Sequence, residues 1–399
     1  MNFTGELRIP NVIHYGKDSL SKLGKEASKL GSKALLISDK PMNDLGYVNQ
    51  IIESLQKENI HTTIYLGVDS ETKDTHVEEA LAIFKEQSCD LIVALGGGSC
   101  IDAAKAVALL ATNETELIEY VGGKKEIEND LVPVIAIPTT AGTGSEVTDA
   151  LVVTHTTKDI KMMIKQPKIT PKVAIVDPIL TQSAPKMLTV ATGIDALCHA
   201  LEAYISRKSH PLTDTLALSS IKLIVENIQR VYVDGKDLEA RSQMALASMQ
   251  AGIAFSNSSV CLVHGMSRPI GALFHVPHGI SNAMLLSAVL DFSLESCTEK
   301  LAQIGRAILE NVDTDSDEVV AEKTVLSIKH LCIELGIPNL QSWGINEEQF
   351  ENSLEKMATD ALASGSPGNN PRVPSKEEII ELYRVAFTYD YKNLKVLNA

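Results

Sequence analysis

Residues 90–110, DLIVALGGGSCIDAAKAVALL, run a continuous apolar stretch through three glycines into a helix-forming segment. An unbroken apolar run reads as a strand buried on both faces, which belongs to a parallel sheet with crossover helices. Gly96, Gly97 and Gly98 let the backbone turn sharply and approach a phosphate closely. Ser99 is the expected N-cap of the following helix, whose free N–H groups and positive dipole end favour an anion. Glycine-rich strand-to-helix turns also serve packing alone, and this one is neither G-x-G-x-x-G nor a Walker loop. Pyrophosphate binding and simple packing both stay open on this loop.

Working outward, the same rhythm repeats. Strands are expected at KALLIS (33–38), HTTIYL (61–66), LVPVIAI (131–137) and KVAIVD (172–177), with amphipathic segments at 18–30, 43–58, 74–87 and 99–112. Residues 147–164 break the pattern and read as a β-hairpin over a polar turn at 156–159. PTTAGTGSE (138–146) follows a buried strand and clusters Thr139, Thr140 and Thr143 with two glycines. Hydroxyls and bare backbone there suit a nucleotide lying across adjacent strand ends, or an ordinary Thr/Gly turn. Asp39 follows the strand KALLIS. It can accept both hydroxyls of an adenosine ribose and repel a 2′-phosphate, favouring NAD over NADP, or it can cap a helix before Pro41.

Beyond about residue 186 helical periodicity takes over, at 194–206, 212–231, 238–254, 283–310, 317–335, 347–363 and 376–387. Two domains follow, 1–183 of α/β type and 184–399 all-helical, and the cleft between two such domains is a usual meeting place for cofactor and substrate. In the second, Asp195 and His199 lie four apart in TGIDALCHALEAY and so share a helix face. His264 and His278 stand fourteen apart in LVHGMSRPIGALFHVPHG, where Pro269, Gly271, Pro277 and Gly279 predict a broken path able to fold back. One carboxylate with three imidazoles suits Fe(II) or Zn(II) with a coordination position left open. Each of these residues alone reads equally as a satisfied core or surface group. The argument is their grouping.

The 399 residues are 44% hydrophobic and carry a net charge of −15, which argues against nonspecific binding to nucleic acid or to an anionic membrane. No apolar run approaches the roughly 20 residues of a membrane span, and the start lacks a signal-peptide pattern. Six scattered cysteines without a C-x-x-C pair fit a reduced cytoplasm.

These segments together resemble the iron-dependent (group III) alcohol dehydrogenase family. The similarity extends over nearly the whole chain, from IPNVIHYG (9–16) through GGGSCIDAAK, IPTTAGTGSE, TGIDALCHALEAY and VHG…PHG. It implies a Rossmann-like N-terminal domain with a parallel sheet, an all-α C-terminal domain, and an architecture like that of dehydroquinate synthase. It implies hydride transfer between NAD(H) and a small primary alcohol or diol and its aldehyde, in a homodimer or larger homo-oligomer. Asp195, His199, His264 and His278 then stand at the metal-ligand positions. Gly97, Gly98 and Ser99 match the pyrophosphate loop, and Thr139, Thr140 and Thr143 the second nucleotide loop. Asp39 falls where the ribose is read, Lys161 at a cofactor contact, and Phe255 in the substrate-pocket lining.

Two departures stand out. Asp69-Ser70-Glu71-Thr72-Lys73 replaces the usual Pro-Asn-Pro, and Arg268 replaces a second histidine four residues after the third ligand. Arg268 either grips an anionic substrate group or is structural, in which case His275 is the candidate proton relay. A hydroxyacid dehydrogenase using Arg268 is therefore a rival reading. A cyclase or lyase of the dehydroquinate-synthase type is another, but it needs several basic residues and 255–280 offers only Arg268. A non-catalytic NAD-binding module leaves the metal-type residues unexplained.

Overall fold

The apolar runs of the N-terminal half form parallel strands: β1 Val12–Tyr15, β2 Lys33–Ile37, β3 His61–Tyr65, β4 Leu91–Gly96, β5 Val134–Pro138 and, after the hairpin of β6 Ala150–His155 and β7 Ile160–Lys165, β8 Val173–Val176. The computed structural model describes residues 5–158 and 160–390, so Asp159 of the expected hairpin turn lies outside the described residues. The chain divides into two compact units, one spanning Leu7–Ala184 and the other running from Pro185 onward.

The main sheet has the order β1-β8-β5-β4-β2-β3. Alternate residues of each strand pack on opposite faces. Leu35, Ile37, Ile92, Ala94 and Ala136 belong to one core cluster, and Ala34, Leu36, Leu91, Val93 and Ile135 to the other. That two-sided burial is why the strands read as unbroken apolar runs. Strand β2 leads to its neighbour β3, whereas β4, on the other side of β2, leads on to β5. The chain thus leaves the tips of β2 and β4 in opposite directions, and a crevice opens at such a switch point. Asp39 follows one tip and the three glycines the other.

Helices α1 Leu23–Ala27, α2 Lys40–Asp44, α3 Tyr47–Gln56, α4 Asp74–Glu86 and α5 Gly98–Thr112 cover the sheet. The segment expected as one helix over 43–58 is split into α2 and α3 by Gly46, which sits in the left-handed region at φ 79°. Residues 18–30 are likewise a short 3₁₀ turn followed by α1. Strand β1 was not anticipated. It is only four residues long, pairs with β8 at the sheet edge, and exposes Tyr15 there, so its pattern is not that of a buried strand.

The second unit is helical: α6 Lys186–Ile205, α7 Pro211–Val233, α8 Leu238–Asn257, α9 Leu262–Phe274, α10 His278–Ser293, α11 Thr298–Ile308, α12 Asp317–Glu334, α13 Leu340–Trp343, α14 Glu347–Ala363 and α15 Lys376–Phe387. The helix expected over 283–310 is two, interrupted between Ser293 and Thr298. The stretch 264–278 is interrupted as expected, at 275–277 between α9 and α10, although Pro269 itself lies inside α9. Its ring forfeits only the bond to the carbonyl four residues back, and the helix ends instead at His275, left-handed at φ 54°. Among the described residues no single helix is long and apolar enough to cross a membrane. Helices α8 and α9 meet that test only as a pair, and they turn by 101° at their junction.

Candidate metal centre and nucleotide loops

Helix α6 is buried along almost its whole length and carries Asp195 and His199 one turn apart. His264 stands in the first turn of α9, and His278 opens α10. Gly279 lets α10 start against α6, because a Cβ there would lie 2.2 Å from the carbonyl oxygen of Ala191. The four side chains meet, with ligand-type atoms all within 4.8 Å of one another. His199 Nδ1 is 3.9 Å from Asp195 Oδ2, and the Nε2 atoms of His264 and His278 are 3.6 and 3.7 Å from Asp195 Oδ1. A tetrahedral shell of ~2.1 Å bonds separates its donors by roughly 3.4 Å, and the three pairs with Asp195, at 3.6–3.9 Å, stand near that spacing. Three members are buried, and the His278 side chain is 48% exposed, which leaves one side of the cluster open.

The electrostatics fit a cation. Burial alone would raise the Asp195 carboxyl, yet the imidazoles of His199, His278 and His264 hold it far below the usual carboxylate range. Burial pulls the His264 imidazole down, but Glu202 and Asp195 outweigh it and hold the group up at about 9. Asn282, one turn after His278 on α10, directs its amide Nδ2 at Asp195 Oδ1 (2.7 Å), His264 Nε2 (3.1 Å) and His278 Nε2 (3.3 Å).

Around it, the Phe255 ring stacks on His199 with centroids 4.2 Å apart and planes 15° from parallel. Arg268 is one turn beyond His264 on α9. Burial pushes its guanidinium below the usual range, against the pull of the Glu202 carboxylate. His275 is exposed at the end of α9.

In the other unit, α5 begins on a cramped turn. Gly96 has φ 151°, and a Cβ on Gly98 would lie 2.9 Å from Thr143 Cγ2 and 3.0 Å from its Oγ1. The second loop therefore presses directly on the first, with Thr140 nearest Gly97 and the Thr139 amide donating to the Gly96 carbonyl at 3.0 Å. A buried network fixes that contact. Asp102 accepts from Ser145 Oγ (2.6 Å) and Val152 N (3.0 Å), while Lys105 Nζ donates to Ser145 Oγ, Thr148 O and Ala150 O at 2.7–3.1 Å.

Residues 10–178 match the family model described as iron-containing alcohol dehydrogenase, and residues 189–387 match that of the Fe-containing alcohol dehydrogenase family, C-terminal. The chain belongs to the iron-containing alcohol dehydrogenase family. It is 39% identical over 383 residues to 1,3-propanediol dehydrogenase of Klebsiella pneumoniae, covering 95% of this chain and 98% of that one. To the NAD-dependent methanol dehydrogenase of Bacillus methanolicus it is 36% identical over 380 residues, 95% of this chain and 98% of that one. The crystal structure of a 1,3-propanediol oxidoreductase superposes with a TM-score of 0.92 at 39% identity, covering 96% of this chain and all of the other.

For an iron-containing alcohol dehydrogenase, several positions need restating. Ser99 is not the N-cap of α5. Gly97 takes that place in extended conformation, so the helix starts at Gly98 and Ser99 falls in its first turn, its hydroxyl donating to Ser70 O at 3.3 Å. The divergent segment at 69–73 is tied to that turn, since Thr72 Oγ1 donates to Ser99 O at 2.8 Å. Glu71 pairs with Lys161 at 3.3 Å, both half-exposed. Asp39 does cap α2, accepting from Met42 N at 2.8 Å through Oδ1. Its other oxygen lies 3.7 Å from Cys100 Sγ, beside the glycine turn, so capping and ribose reading are compatible.

Glu202 and Asn282 went unremarked in the sequence, although spacing points to both. Glu202 follows Asp195 by seven and His199 by three, and Asn282 follows His278 by four, all helix-face intervals. Asn282 is not a usual iron or zinc ligand, and Glu202, although of a ligand type, turns its carboxylate to two backbone amides and His264 Nδ1.

Proposed function

We propose that this metal-dependent alcohol dehydrogenase moves a hydride between NAD(H) and a small primary alcohol or diol, with Asp195, His199, His264 and His278 holding Fe(II) or Zn(II). The observation that carries the reading is the convergence of those four side chains from three helices within 4.8 Å. The bound ion supplies Lewis acidity toward a hydroxyl or carbonyl oxygen. Residues 1–183 form the dinucleotide domain and 184–399 the metal-binding domain.

The protein's own groups do the rest. The first turn of α5 offers Gly98 and Ser99 amides to the pyrophosphate, and the crowding of Gly98 against Thr143 keeps any side chain out of that space. Thr139 and Thr140 line the second loop beside it. Asp39 reads the ribose hydroxyls and disfavours a 2′-phosphate. Lys161 contacts the cofactor from β7, with Glu71 moderating its charge. Phe255 walls the His199 side with an apolar face suited to a short carbon chain. His275, exposed at the end of α9, passes the alcohol proton to solvent.

Arg268 fits a structural part better than a substrate carboxylate, because it is largely buried and its charge is answered by Glu202. The family matches do not favour the hydroxyacid and cyclase readings. A cytoplasmic location is supported by six free, buried cysteines. Assembly as a homodimer or larger rests on the family resemblance. The test is turnover of an alcohol, diol and hydroxyacid panel by metal-reconstituted protein with NAD against NADP. The reading expects NAD-linked oxidation of alcohols or diols, and hydroxyacid preference would overturn it.

A further inference from the structure

Glu202 is almost wholly buried, and every contact its carboxylate makes comes from an N–H donor. Oε1 accepts from Val263 N at 2.6 Å, while Oε2 accepts from Cys261 N at 2.9 Å and faces His264 Nδ1 at 2.6 Å. At about 100° per residue, Asp195, His199 and Glu202 fall within ~60° of one another around α6. The same helix face therefore provides two of the four converging side chains and the group that grips a third. The two backbone amides are orphan donors at the start of α9, so Glu202 fixes where that helix begins and, one residue later, how His264 is turned.

A carboxylate can only accept here, so Nδ1 of His264 must carry the hydrogen. A neutral imidazole with Nδ1–H has a bare Nε2. That atom is the one aimed at the cluster, 3.6 Å from Asp195 Oδ1 and 3.1 Å from Asn282 Nδ2. The opposite tautomer would place a hydrogen where a ligand lone pair is needed.

We propose that Glu202 is a positioning residue that locks His264 in the Nδ1–H tautomer and thereby presents a bare Nε2 to the metal. The inference rests on the proposed metal site and adds a requirement to it. In Glu202→Gln a single oxygen remains; placed at Oε1 it still accepts from Val263 N, while the amide NH₂ stands where Oε2 accepted from Cys261 N and faced His264 Nδ1. The NH₂ then opposes the His264 Nδ1 hydrogen, or, with the amide flipped, the Val263 N–H, so the variant disturbs either the His264 tautomer or the start of α9.

The test compares Glu202→Gln with wild type in metal affinity, read by chelator competition from the Fe(II)- or Zn(II)-loaded enzyme, and in thermal unfolding of the metal-free protein. Affinity should fall 10- to 100-fold, the range for losing an outer partner of a ligand imidazole, together with a drop in the metal-free unfolding temperature from the buried amide left without its acceptor. Unchanged affinity overturns the proposal. Should the variant fail to fold, nitrogen NMR of ¹⁵N-histidine-labelled wild type decides, with His264 assigned from His264→Gln. Recorded above pH 9, where the imidazole is neutral, an Nδ1-protonated His264 supports the lock and an Nε2-protonated one refutes it. If wild type binds neither metal, the metal reading itself fails, and the tautomer measurement still reports on Glu202 separately.

Discussion

Substituting Gly279 by alanine should dismantle the metal centre without touching a ligand. A Cβ there would stand 2.2 Å from the carbonyl oxygen of Ala191 and 2.7 Å from its carbon, both backbone atoms of α6. Restoring ordinary contact requires the start of α10 to move about 1 Å away from α6, at a typical overpacking cost of ~1–3 kcal/mol. His278 immediately precedes the clash on one side, and Asp195 is one turn from Ala191 on the other. Their 3.7 Å separation would then open toward roughly 4.7 Å, beyond the ~4.2 Å that two ~2.1 Å bonds can span. Losing one ligand in four from a site of ~10–16 kcal/mol removes about 3 kcal/mol, or two orders of magnitude in affinity. Metal Kd by chelator competition, with circular dichroism beside it, measures this. Gly271→Ala is the control, since its nearest contact is an ordinary 3.5 Å to Val276 O. Gly279→Ala with wild-type metal affinity would refute the geometry.

Two further outcomes follow from the N-terminal unit. If Asp39 excludes a 2′-phosphate, both Asp39→Asn, which keeps the cap on α2, and Asp39→Gly should raise kcat/KM for NADP about tenfold or more, a close like-charge contact being worth ~1–3 kcal/mol; an unchanged NADP/NAD ratio would leave only the cap. Glu146 is fully buried, and burial pushes its carboxyl up to about 7 against the opposing pull of its own amide and Lys105. The folded state thus binds this proton more tightly than the unfolded chain, so its contribution to stability is present at acid pH and lost as pH rises from about 4.5 through 7. Glu146→Gln should therefore be more stable than wild type at pH 8 by ~1–3 kcal/mol, with the difference shrinking at pH 5, as read by urea unfolding at both; a pH-independent difference would contradict the assignment.

The sheet and the Asp195–His199 pair were legible because each rests on a short-range rule, while His264 and His278 joined them through the grouping of histidines and the family resemblance. Two-sided burial writes itself as unbroken apolar runs at 91–95 and 134–137, and one helix face explains Asp195 with His199. What escaped the sequence depended on partners far along the chain. Strand β1 exists because β8 offers it an edge 161 residues later. Ser99 looked like a cap because serine commonly is one, but the Gly96 and Gly97 conformations start α5 a residue earlier. Pro269 lies inside α9, and the expected interruption falls at 275–277 instead. Glu202 matters only through residues 261–264, about 60 positions away, a proximity that no local pattern announces.

The central claim is that Asp195, His199, His264 and His278 hold one metal ion, and the most direct test is the metal content of His264→Ala and His278→Ala. Both proteins are loaded with Fe(II) under reducing, oxygen-free conditions, desalted, and analysed for metal per chain beside their circular dichroism. The account predicts native helix content with most of the metal and nearly all turnover gone in each. Full metal occupancy in both folded variants would contradict it.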